Sequence, residues 1–129
     1  QLTHQMKVYG GTTFQSWNAT AMALHYLQDI EQRWQKVKTN AAQIITALDK
    51  MEGVHLNKLT NGTNIFHLKL DSTIDLKALA NALFKNYNIW LGRADKTGVI
   101  KFTINESLLR RKPQEIVDAW QKSLKQARK

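Results

Sequence analysis

The sequence predicts an α+β fold: a long N-terminal helical region followed by a small, mostly antiparallel sheet with helices packed on one face, in the order β-β-α-β-β-α. Three observations point there. Apolar residues recur at three- and four-residue steps between Phe14 and Met51, the spacing of one helical face. Apolar and polar residues then alternate on either side of Asn61-Gly62, a dipeptide that suits a tight hairpin turn. Finally, Pro113 opens a closing amphipathic stretch, where its fixed φ and missing N–H suit the first turn of a helix.

Taking the elements in order, Ala23, Leu27, Ile30, Trp34, Val37, Ala41, Ile44, Leu48 and Met51 form one apolar stripe. Tyr26 and Ile45 widen it beyond a coiled-coil seam, so a globular core helix is expected. Thr39-Asn40 is a cap-like pair at which the region is expected to break or kink if it does so. Gly53 supplies a left-handed C-terminal cap. Val54–Leu59 and Ile65–Leu70 read as paired strands; in the second, Phe66, Leu68 and Leu70 share one face and His67 and Lys69 the other. Ser72 is the expected cap of a helix whose inward face is Leu76, Leu79, Ala80, Leu83 and Phe84. Asn88–Gly92 and Val99–Ile104 read as two more strands joined through the turn Asp95-Lys96-Thr97-Gly98. In the last helix Glu115 complements the positive end and Ile116, Ala119, Trp120 and Leu124 face the core. Lys125, Arg128 and Lys129 favour its negative end.

Composition narrows the function classes. The 129 residues suffice for one domain with its own core. The chain has no cysteine, which removes disulfides and thiolate chemistry and is compatible with a reducing, cytoplasmic setting. No apolar run approaches the roughly 20 residues that span a bilayer, so no membrane partner is expected. The four histidines, at 4, 25, 55 and 67, form no ligand pair at helical spacing, and no metal is expected. The serines lack a nucleophile-elbow context. A net charge of +9 admits a basic nucleic-acid-binding or protein-interaction module without catalysis. Its 19 basic residues are spread along the chain, which instead suits a solvated basic surface, so nucleic acid is not the expected partner.

One segment carries more. Lys7-Val-Tyr-Gly10-Gly11-Thr-Thr-Phe-Gln15 runs directly into the long helical region, in which Ala19, Ala21 and Ala23 lie. It resembles the segment of threonine aldolases and β-eliminating lyases, pyridoxal-phosphate enzymes of fold type I, in which a lysine and a glycine cluster precede a glutamine and a long helix. Lys7, Gly10, Gly11 and Gln15 match that pattern. Phe14 stands where the family usually has arginine, and Asn105 where it often has histidine; both favour a divergent lyase-like branch.

The resemblance implies a division into a lead-in segment (1–13) from an upstream large domain, a connecting helical region (14–52) and a small C-terminal α+β domain (53–129). It also implies pyridoxal phosphate in the full-length enzyme, not covalently bound by this chain, because the cofactor-holding lysine of the family lies upstream of the glycine cluster. No catalytic residue is then expected here, and the chain alone is expected to be inactive. Lys7, Gly10 and Gly11 become the cofactor-side candidates. Lys101 falls where the family places its substrate-carboxylate arginine, and Arg93 is the alternative that retains a guanidinium fork. The implied partners are the large domain, further copies in a homodimer or homotetramer, and an amino-acid substrate undergoing carbon–carbon cleavage or β-elimination.

Overall fold

The computed structural model describes residues 4, 17–59, 62 and 64–129. The chain comprises two units, Gln1–Gln32 and Arg33–Lys129. In the first, helix α1 (Trp17–Leu27) leaves Met22, Leu24, Tyr26 and Leu27 exposed. It stops where the Gln28 N–H returns to the Leu24 carbonyl (3.1 Å) and Asp29 takes a left-handed conformation (φ 55°). Aspartate is among the few non-glycine residues that tolerate that region.

Helix α2 follows at once (Ile30–Asp49). The break in the helical region therefore lies at Gln28-Asp29 and not at the expected Thr39-Asn40. Those two residues find other partners: the Thr39 hydroxyl donates to the Gln35 carbonyl four residues back (3.0 Å), and the Asn40 amide reaches the Leu108 carbonyl (3.4 Å). Neither side chain breaks the helical ladder, and α2 continues through both residues.

The second unit is α+β. Strands β1 (Val54–Lys58), β2 (Ile65–Leu70) and β3 (Ile100–Thr103) form one antiparallel sheet in the order β1-β2-β3. Leu56, Leu68 and Ile100 stand in one cross-strand row, and Phe66 pairs with Phe102. Val54, Leu68 and Ile100 are buried against Ile44 and Leu48 of α2, Leu79 and Leu83 of helix α3 (Leu76–Tyr87), and Ile116, Trp120 and Leu124 of helix α4 (Pro113–Ala127). Each such side chain removed from water contributes roughly 1.5–3 kcal/mol. Val37, Ala41 and Ile104 make a second, smaller core with Trp34 and Leu108 at its edge. The second unit therefore begins inside α2, whose buried stripe serves both cores.

Three elements differ from the expectation. The cap of α3 is Asp75, whose carboxylate accepts the Ala78 N–H (3.0 Å), and not Ser72. Phe84 is not inward but half exposed. Asn88–Gly92 is not a strand, because Asn88 adopts a left-handed conformation (φ 51°) and the N–H groups of Asn88 and Ile89 return to the Phe84 and Leu83 carbonyls (2.9 and 3.1 Å). Ending the helix in this way uses the backbone groups that a ladder would need. What remains of the predicted strand pair is one bridge, Ala94 to Ile100, closed by the expected turn with Gly98 left-handed (φ 79°). A 3₁₀ turn, Glu106–Arg110, capped by the Asn105 side chain, leads to α4, which starts at Pro113 as the sequence predicts.

Candidate functional site

Strand parity decides what the sheet offers to solvent. Since successive side chains alternate faces, the face opposite the helices carries His55 and Asn57 from β1, Ile65, His67 and Lys69 from β2, and Lys101 and Thr103 from β3. Asn57, His67 and Lys101 stand in one row across the three strands, with His55 beside Lys69 in the next. Lys69 and Lys101 are exposed, and His67 is partly covered.

Two carboxylates lie close to these rows, Asp71 beside His55 and Asp95 near His67. Asp71 receives His55 Nε2 at 2.9 Å, with both side chains more than half exposed. Asp95 sits in the turn before β3 and accepts the Thr97 hydroxyl (2.7 Å) together with the Thr97 and Val99 N–H groups (2.8 and 3.0 Å). Those donors, the Thr97 hydroxyl first, hold its carboxyl below the ordinary aspartate value, and the nearby His67 charge adds to the effect. Among the described residues Lys101 has no ion-pair partner. The row thus pairs a free ammonium with an imidazole and an amide, a donor set suited to an anion such as a carboxylate.

Arg93 stands elsewhere. It lines a groove of about 470 Å³ between α3 and the Trp90–Ala94 segment, together with Lys77, Ala80, Asn81, Phe84 and Trp90. Lys101 does not line that groove, although the Ala94–Ile100 bridge sets the two backbone stretches side by side. The two candidate carboxylate ligands are therefore neighbours along the chain's course but serve different surfaces. Lys7, Gly10 and Gly11 lie outside the described residues.

The chain matches no protein-family model and no curated protein. Among the described residues, no group of three or more His, Asp or Glu side chains is placed to hold a metal ion. No described helix is long and apolar enough to cross a membrane.

Sequence reasoning passed over Phe84 and Trp90 as core and strand residues. The sequence carries no clear signal for this, because Leu76, Leu79, Ala80, Leu83 and Phe84 have the ordinary spacing of a single core-facing stripe. Asn57 was also missed: a two-residue turn at Asn61-Gly62 sets it opposite Phe66, whereas the observed register, shifted by one residue, sets it opposite His67.

Proposed function

We propose that this chain is the C-terminal part of a pyridoxal-phosphate-dependent amino-acid lyase, similar to threonine aldolases and β-eliminating lyases, and corresponds to the small domain of a fold-type I enzyme. The observation that carries this reading is the position of Lys101. The residue to which the resemblance gives the substrate carboxylate lies on the edge strand β3, on the sheet face turned away from the described helices of the second unit, with His67 and Asn57 in its row. A large upstream domain packed on that face would find there a cation, an imidazole and an amide already set on rigid strands. In this reading Lys101 binds and orients the carboxylate, while Arg93, the other candidate, lines the groove beside α3 and not this row. His67 and Asn57 donate hydrogen bonds to the same anion or to the facing domain.

The described residues do not fit the cofactor by themselves. The open sheet face is not an enclosed site that gathers a cofactor lysine, an acid for the ring nitrogen and phosphate donors. When bound, pyridoxal phosphate supplies the electron sink for cleavage at the α- or β-carbon; the large domain is the part proposed to hold it, in a homo-oligomer.

Expression of the full reading frame that contains this chain tests the proposal. Pyridoxal phosphate should be borohydride-trappable on a lysine upstream of Gln1, and Lys101→Ala should raise KM for the amino acid by about tenfold, the loss expected for one charge-assisted contact. Stoichiometric trapping on this chain alone, or an unrelated upstream region, would overturn the assignment. Tight nucleic-acid binding that collapses with salt would instead favour a basic binding module.

A further inference from the structure

We propose that the groove between α3 and the Trp90–Arg93 segment binds a small carboxylate with a flat apolar body, an arylalkanoic acid in chemical class. This site is separate from the sheet face on which the lyase reading rests. It assigns Arg93 to the groove and leaves Lys101 to the sheet.

The argument is one of shape and charge. A volume of about 470 Å³ lies within the roughly 300–1,000 Å³ of small-molecule sites and accommodates a ring system with a short tail. Phe84 and Trp90 meet edge to face at 6.1 Å, yet are 51% and 75% exposed. A third ring laid against them extends an aromatic cluster that now faces water. Ala80 and Leu91 give the apolar floor.

The charges select the other end of the ligand. Lys77 and Arg93 line the groove, Asn81 adds an amide, and none of the described residues lining it carries a carboxylate. Asp75, whose carboxylate feels the Lys77 charge, is held on the Ala78 N–H at the helix cap. Among the described residues Arg93 has no ion-pair partner, and its planar fork suits a carboxylate. An organic cation meets repulsion here, and a neutral aromatic forgoes the Arg93 contact.

The test is titration of the isotopically labelled chain with indole-3-propionate, its neutral alcohol analogue 3-indolepropanol, and propionate, followed residue by residue by NMR. Indole-3-propionate should give saturable shifts at the Trp90 indole N–H, Asn81 and Arg93, and bind about tenfold tighter than the alcohol. Arg93→Gln and Asn81→Glu, both at exposed positions, should each weaken it by about tenfold while the remaining spectrum stays that of the folded chain. Lys101→Gln should change nothing. Equal binding of acid and alcohol, an unchanged affinity in Arg93→Gln, shifts gathered on the sheet face, or a groove that takes only an acidic peptide would overturn the proposal.

Discussion

Ser123 is fully buried in α4, and among the described residues its hydroxyl has no hydrogen-bond partner. A buried hydroxyl without a partner forfeits its hydration and gains nothing in return, so Ser123→Ala should leave stability unchanged or raise it by up to about 1 kcal/mol in a denaturant titration. Gly53 behaves in the opposite way. Its φ is +78°, and a Cβ there would stand 2.8 Å from Ile74 Cδ1. Gly53→Ala should therefore lower stability by about 1–2 kcal/mol, since both backbone strain and a core contact oppose it. The conformational role of Gly53 was readable from its residue type, although as a helix cap; the structure uses it four residues later, in the turn that opens β1. Ser123 gave no such signal, because serine on a helix is ordinarily a surface residue.

At the scale of elements, the cap of α3 and the turn before β3 share one chemistry. Asp75 and Asp95 both have folded pKa values held below the ordinary aspartate range, the first mainly by the Ala78 N–H and the second mainly by the Thr97 hydroxyl. A carboxylate whose pKa is lower folded than unfolded contributes stability above its ordinary value and loses it as pH falls towards the folded one. Thermal unfolding followed from pH 7 downwards should show Tm declining below about pH 4, and the decline should be shallower in Asp95→Asn. Trp120, 1% exposed and edge-on to Phe102 at 6.4 Å, anchors α4 to the sheet; Trp120→Ala should cost about 3–5 kcal/mol. The sequence placed this residue inward from the apolar spacing of α4 alone. It misplaced the α3 cap because Ser72 and Asp75 are both acceptable caps locally. Ile74, bridged to Arg128, keeps the chain extended past Ser72, and that pairing arises fifty-four residues downstream.

For the whole molecule, the α+β class, the hairpin and the closing helix were legible because each rests on periodicity within a few residues. The lost fourth strand was not, since a left-handed Asn88 is a local choice between two allowed conformations and the helix end took it. The site divides in the same way. Strand parity already placed His67 on the wetter face of the sheet, whereas the separation of Arg93 from Lys101 depends on how the Trp90–Ala94 segment meets α3.

The last three residues also matter at this scale: Asp75 donates its N–H to the Ala127 carbonyl (2.8 Å), Lys129 donates to Thr73 (2.9 Å), and Arg128 pairs with Glu52 (2.9 Å). Deleting residues 127–129 should lower stability by about 2–3 kcal/mol through these bonds and the buried Ala127. These contacts also give the domain a mechanical polarity. A pulling force applied at Lys129 loads them one after another, Thr73 first and Asp75 next, so this end peels like a seam. The same force applied at α2 must shear a packed helix from the sheet in a single step.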